Sequence, residues 1–305
     1  MEGAFYMKKI MVIYNPSSGK QAFDEKVKNI TSILLDNGYI LGKFITQKKN
    51  DARDRVIQCC HEDWDAIIAC GGDGTLNEVA NGIMLGGRKI PVAILGTGTV
   101  NDFAKSLNIP KTPRDFCNMI MNELTMDIDL GRANDKYFVN VSAFGLLSSV
   151  AHETKKEYKA ILGRLAYFIE GIKILPKELM NPIHTEVISE ELNLNENIQL
   201  FILSNGNSIG GFKNFMPEAR FDDGYLDCLI IRDTTLESMI TILKAFSTAQ
   251  HTSCQNIEYF KTKKIRISSN SSAVVDIDGE YGGALPVEYE VVEKGLKIFV
   301  SKYPY

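Results

Sequence analysis

The sequence predicts an α/β domain, a parallel sheet with helices on both faces, followed by a mostly β sandwich domain that carries a helical insertion. Three observations predict it. Short apolar runs at residues 10–14, 39–45, 66–70 and 92–95 alternate with segments of helical spacing at 23–35, 52–60 and 76–84, the pattern of strands joined by crossover helices. After about Asp127 this texture gives way to short β-rich runs punctuated by turn residues. The length, 305 residues, exceeds the roughly 100–200 of a typical domain. The expected division is 1–128 and 129–305, with the C-terminal tail able to return to the first domain.

Taken in order, the first four strands are short apolar runs, as expected of a parallel sheet with helices on its faces. The helix at 76–84 begins directly after the glycine-rich turn at 71–74. In the second half, strands are expected at 128–130, 137–141, 185–188, 200–203, 226–231, 265–267, 273–277, 287–292 and 296–300, and a helix at 236–247. The polar stretch 190–197 reads as a loop. The insertion is helical because Tyr158, Ile161, Leu165, Phe168, Ile172 and Leu175 share one stripe, which Pro176 stops. Its Lys155, Lys156, Lys159, Arg164 and Lys173 suit an anionic bilayer surface, although a solvated basic face is the weightier reading.

Composition narrows the function. Lys and Arg number 34 against 38 Asp and Glu, a formal charge of −4, so nothing global favours a nucleic acid partner. No run reaches the roughly 18 apolar residues of a transmembrane helix, and residues 1–7 lack a secretory leader pattern, with Met7 an alternative start. Six cysteines without metal-type spacing point to buried thiols in a reducing cytoplasm. His61, His152, His184 and His251 are likewise isolated and read as structural.

The strongest local signal is the run Gly71-Gly72-Asp73-Gly74-Thr75-Leu76-Asn77-Glu78, an apolar strand turning through three glycines into a helix. Glycines let backbone amides approach a ligand, and a helix N-terminus favours negative charge, so phosphate is the natural guest. Asp73 is then a candidate for organising Mg²⁺ or water beside the phosphates, against the plainer reading of an N-cap. Two further polar turns follow strands: Asn15-Pro16-Ser17-Ser18-Gly19-Lys20, which lacks Walker A spacing, and Gly96-Thr97-Gly98-Thr99-Val100-Asn101-Asp102-Phe103. Three such loops at one sheet edge make a nucleotide cleft.

In the second domain, Arg220-Phe221-Asp222-Asp223-Gly224-Tyr225 is either an oxygen-rich turn for a hard cation or an Asp-Gly hairpin turn, the latter favoured on the residues alone. Asp276-Ile277-Asp278-Gly279-Glu280 sets three acids on one side if the strand stays extended.

Together these segments resemble the soluble diacylglycerol kinase catalytic-domain family, whose relatives include bacterial lipid kinases and sphingosine and ceramide kinases. The carriers are Asn15-Pro16-x-Ser18-Gly19, the Gly71 to Glu78 run, Gly98-Thr99-Val100-Asn101-Asp102-Phe103-Ala104, Asp222-Asp223-Gly224-Tyr225-Leu226-Asp227 and Asp278-Gly279-Glu280. The chain departs in having no proline near the entrance to the third loop. The resemblance implies an ATP-dependent, Mg²⁺-using lipid kinase, with nucleotide residues Asn15, Pro16, Ser18, Gly19, Thr46, Gly71, Gly72, Asp73, Gly74, Thr75, Leu76, Asn77 and Thr99. It implies a structural Mg²⁺ held by the Asp223 carboxylate and the Arg220 and Tyr225 carbonyls. It also puts the general base in the Asp278 to Glu280 segment, where Glu280 is favoured and Asp278 contends, with Asp73 a third catalytic candidate.

The expected acceptor is a lipid hydroxyl, diacylglycerol first, met at the inner face of the membrane by a cytoplasmic protein for which a homodimer is an open arrangement. Two other readings are weighed. An NAD kinase shares the Gly-Gly-Asp-Gly-Thr loop but needs a later Thr-Pro-Thr-Gly-Ser segment, which is absent. A non-catalytic nucleotide-binding regulator stays the other alternative, weakened because no essential motif is missing, although motifs alone do not prove turnover.

Overall fold

A computed structural model describes residues 7–16, 21–96, 101–145, 182–210, 214–246 and 254–304. The expected insertion helix, and the site candidates Ser18, Gly19 and Thr99, lie outside the described residues. The chain divides into two compact units, residues 1–128 with 294–305, and residues 129–293.

The first unit is built on β1 (Lys9–Tyr14), β2 (Ile40–Ile45), β3 (Ala66–Gly71) and β4 (Val92–Gly96), in the spatial order β4-β3-β1-β2 and all parallel. The helices are α1 (Gln21–Asp36), α2 (Asp51–Cys60), α3 (Asp73–Gly86), α4 (Asp102–Ser106) and α5 (Pro113–Met121). The chain winds from β1 outward to β2, then crosses back to β3 and β4. Right-handed crossovers on either side of that reversal put their helices on opposite faces, and α1 accordingly packs with α5 while α2 packs with α3. β3 is buried at every position, which is why its sequence is a plain apolar run.

Glu78 belongs to the glycine-rich motif, yet its contacts are architectural. Its carboxylate accepts the Asn50 N–H at 2.9 Å and the Ala52 N–H at 3.1 Å, covering the first turn of α2, whose own N-cap Asn50 makes no side-chain cap. A Glu78→Ala substitution is therefore expected to cost about 0.5–2 kcal/mol, read as a lowered midpoint in urea unfolding.

The second unit holds β5 (Thr125–Ala133) from Asp129 onward, β6 (Lys136–Phe138), β7 (Val141–Gly145), β8 (Ile183–Ser189), β9 (Asn193–Ser204), β10 (Leu226–Arg232), α6 (Leu236–Phe246), β11 (Ile257–Thr262), β12 (Lys264–Ser268), β13 (Val274–Ile277), β14 (Glu280–Ala284) and most of β15 (Val287–Phe299). Its strand pairs are antiparallel. Alternation along β9 sends Phe201 and Leu203 to one core, with Phe138, Phe144 and Tyr289, and Leu200 and Ile202 to another under α6, with Met239, Ile242 and Phe246. In the first core Phe201 stacks on Phe144 at 4.9 Å and on Tyr289 at 5.7 Å, and the Tyr289 hydroxyl is satisfied by Ser142 Oγ at 2.9 Å.

Three expectations change. The polar stretch 190–197 is a loop only at its start: Asn193 to Asn197 pair with β8 as the outer arm of a hairpin, polar because that arm is mostly exposed. The runs at 287–292 and 296–300 belong to one strand, β15. The acids at 276–280 do not lie along one extended strand. Asp278 (φ 50°) and Gly279 (φ 85°) form a two-residue turn between β13 and β14, the hairpin chemistry of an Asp-Gly pair. Among the described residues, no helix is long and apolar enough to cross a membrane.

Candidate functional site

The reversal of winding falls between β1 and β3, and in an open parallel sheet the crevice at the carboxyl ends of two such strands is where ligands bind. Asn15 leaves β1 there and residues 71–74 leave β3. The two turns are tied together: the Asn15 N–H donates to the Cys70 carbonyl at 3.0 Å, and Asn15 Nδ2 donates to Thr75 Oγ1 at 3.2 Å. A Cβ on Gly71 would collide with the Thr75 side chain, so this glycine serves packing. Thr46 closes the neighbouring strand end, 8% exposed, its N–H donating to the Tyr14 carbonyl at 2.9 Å and its hydroxyl near the same oxygen at 3.5 Å.

Gly72 and Gly74 differ from Gly71. Among the described residues a Cβ at either would meet nothing within 4 Å, and Gly72 has φ −90°, open to any residue. Neither packing nor backbone strain demands glycine at Gly72, and the open space lies against the N-terminus of the fourteen-residue α3. The N-cap of α3 is Gly72, without a side-chain cap; its carbonyl accepts from the N–H groups of Thr75 (3.0 Å) and Leu76 (3.2 Å). Asp73 is thus the first helical residue rather than the cap, and half-buried. Leu76 is buried in the core. Asn77 accepts from Asn81 Nδ2 through its carbonyl at 2.9 Å and its side chain at 3.1 Å. Pro16 is exposed just beyond β1.

In the second unit, the turn at 220–225 is fixed by a buried acid that sequence reasoning passed over. Asp129, 2% exposed, accepts the Gly224 N–H at 2.7 Å. Its signal was an acid inside an apolar strand. Asp223 Oδ1 accepts the Tyr225 N–H at 3.1 Å and Oδ2 accepts from Lys261 Nζ at 2.6 Å, while Arg220 pairs with Asp222 at 3.2 Å. Asp227 lies alongside, 1% exposed. Burial pushes its carboxyl up to about 6, against the Tyr259 hydroxyl and Lys261, which favour the charged form.

Two of the roughly four lone-pair directions of the Asp223 carboxylate are engaged. Lys261 reduces the negative charge the turn presents. Among the described residues no group of three or more His, Cys, Asp or Glu side chains could hold a metal, so any ion here leans on carbonyls.

The candidate bases separate by contact. Asp278 Oδ2 accepts the Val139 N–H at 2.8 Å, and Oδ1 accepts those of Asn140 at 3.0 Å and Val141 at 2.9 Å. Glu280 opens β14 and is exposed. It follows Gly279, where a Cβ would meet nothing within 4 Å among the described residues.

The chain is similar to known proteins along nearly its whole length. Residues 9–133 match the diacylglycerol kinase catalytic domain, and residues 141–300 the YegS C-terminal NAD kinase beta sandwich-like domain. The diacylglycerol kinase of Staphylococcus epidermidis (strain ATCC 12228) is 34% identical over 295 residues, 97% of this chain and 93% of its own. That of Staphylococcus aureus (strain Newman) is 35% identical over 292 residues, 96% and 92%. A crystal structure from Bacillus anthracis strain Sterne has the same fold, with a TM-score of 0.84 and 25% identity across 98% of this chain and 97% of its own. A second from that strain, a diacylglycerol kinase, gives 0.80 and 24% across 97% and 98%.

Proposed function

The chain belongs to the diacylglycerol kinase catalytic-domain family and is a lipid kinase, and from that premise we propose that it transfers the γ-phosphoryl group of ATP to the free hydroxyl of diacylglycerol, giving phosphatidic acid. The observation that supports this most is the pair of open glycine positions, Gly72 and Gly74, against the N-terminus of α3 at the switch point of the sheet. A backbone that leaves such space at a helix N-terminus suits a triphosphate.

ATP would be held by Asn15, Pro16, Ser18, Gly19, Thr46, Thr99 and the run Gly71 to Asn77, with the backbone amides of that run toward the phosphates. Mg²⁺ carried with the nucleotide supplies charge neutralisation. Asp73 orients what surrounds the phosphates. As the lipid oxygen bonds to the γ-phosphorus and the bond to the β-phosphate oxygen breaks, Glu280 takes the hydroxyl proton. Exposure leaves Glu280 accessible to an acceptor, whereas Asp278 spends its oxygens on three backbone amides. Arg220, Asp223 and Tyr225 would hold a structural Mg²⁺ that stiffens the turn at 220–225. The protein works from the cytoplasm at the membrane surface where its acceptor resides.

An NAD kinase reading draws on the β-sandwich match but lacks the dinucleotide segment. Nucleotide binding is tested at Gly72. Gly72→Val puts a side chain into the space the phosphates need and disturbs no packed neighbour among the described residues, so calorimetry should show ATP affinity reduced about tenfold or more, roughly 1.4 kcal/mol, with an unchanged melting temperature. Unchanged affinity would count against the cradle.

A further inference from the structure

We propose that Asp278 is the positioning residue of the reaction, and that it fixes Glu280 by locking the β13–β14 turn onto the segment between β6 and β7. This rests on the assignment of Glu280 as the base. The lock is made of backbone contacts on both sides of the turn. The Asp278 carboxylate gathers three consecutive N–H groups, Val139, Asn140 and Val141, at 2.8–3.0 Å. Its own N–H returns to the Val141 carbonyl at 2.9 Å. Inside the turn, the Gly279 N–H donates to Asp276 Oδ1 at 2.9 Å.

Beyond Glu280, Lys136 of β6 reaches the carbonyls of Tyr281 at 3.4 Å and Gly282 at 3.3 Å, with its ammonium over the Tyr281 ring at 5.7 Å. Glu280 therefore stands between two anchors to one segment, residues 136–141. Charge-assisted bonds from a carboxylate to backbone amides are among the stronger ones, and a base displaced by about 1 Å costs roughly 10² in rate. Asp278 holds a positive φ of 50°, which Asn also tolerates. Asp278→Asn consequently preserves the turn, but its amide nitrogen then faces an N–H it cannot accept from.

The test is the pH dependence of kcat with diacylglycerol and Mg-ATP in four variants, alongside the Michaelis constant for ATP and the melting temperature. Asp278→Asn should lower kcat about tenfold or more with the ATP constant unchanged, and should keep the fall in rate on acidification, since the base is still present. Glu280→Gln should abolish that acid limb. Lys136→Met, on an exposed side chain that folding does not need, should lower kcat severalfold in the same manner, and Lys136→Arg should restore it. A wild-type kcat in both Asp278→Asn and Lys136→Met overturns the lock and leaves the base untouched. Loss of the acid limb in Asp278→Asn with its survival in Glu280→Gln overturns the base assignment instead. Should Asp278→Asn fail to fold, the Lys136 pair decides: no drop in Lys136→Met, or no rescue by Lys136→Arg, overturns the lock.

Discussion

Replacing Glu280 with Gln should leave a folded protein that binds ATP as well as before and turns over about 10²- to 10⁴-fold more slowly, the range that a positioned general base contributes. A lipid hydroxyl is a very weak acid and cannot give up its proton unaided as the phosphoryl group arrives. Glu280 is exposed at the first position of β14, so the neutral isostere costs little in stability. The preceding Gly279 leaves open space for an acceptor to approach. The checks are single-turnover rates with ATP at saturation and calorimetric ATP affinity. A kcat within a fewfold of wild type would remove Glu280 from the chemistry.

Asp73→Ala should have a comparably large effect with a small structural cost. Asp73 is the first residue of α3 and not its cap, so its loss removes no N-cap and forfeits the attraction of an acid for the helix N-terminus, about 0.3–1 kcal/mol. If Asp73 organises the Mg²⁺ or water that neutralises the phosphates, as proposed above, its removal withdraws that electrostatic support, which costs on the order of 10²–10³ in rate, and we expect transfer to fall by about that much. Denaturant unfolding and a transfer assay at saturating Mg-ATP read the two effects separately. Near wild-type turnover would withdraw the role of the loop acid.

Much of this was legible in the chain, for identifiable reasons. The strands β1, β3 and β4 are buried almost throughout, and burial on both faces writes a continuous apolar run that needs no partner to interpret, whereas β2 at the sheet edge is exposed or half-buried throughout and carries Lys43. The loops after β1 and β3 were visible because glycine and hydroxyl residues stand where apolar runs end. What could not be read were properties that depend on residues far away in sequence. The outer arm of β9 looks like a loop, because its strand character comes from pairing with β8. Glu78 looks like part of a phosphate motif, although its oxygens reach back to Asn50 and Ala52. Asp278 and Glu280 are two acids one glycine apart, and only the amides of residues 139–141, well over a hundred positions earlier, set them apart.

Asp129 and Lys261 were missed for the same reason. An acid within a strand and a lysine among many carry no local mark of the turn they hold at Gly224 and Asp223. The Asp-Gly pair at 278–279 does carry such a mark, and the condition under which the three acids would share one side, a strand extended through it, is not met. Turn chemistry outweighs alternation where two residues take positive φ.

The most direct measurement of the central claim is transfer of label from γ-labelled ATP into a panel of lipids presented in mixed micelles: diacylglycerol, monoacylglycerol, a sphingoid base and a polyprenol, with NAD in a parallel reaction and each product identified by mass. The account predicts Mg²⁺-dependent label in phosphatidic acid, with diacylglycerol the preferred acceptor and no label in NADP. Label in NADP, or none in any lipid while ATP binds normally, would contradict it.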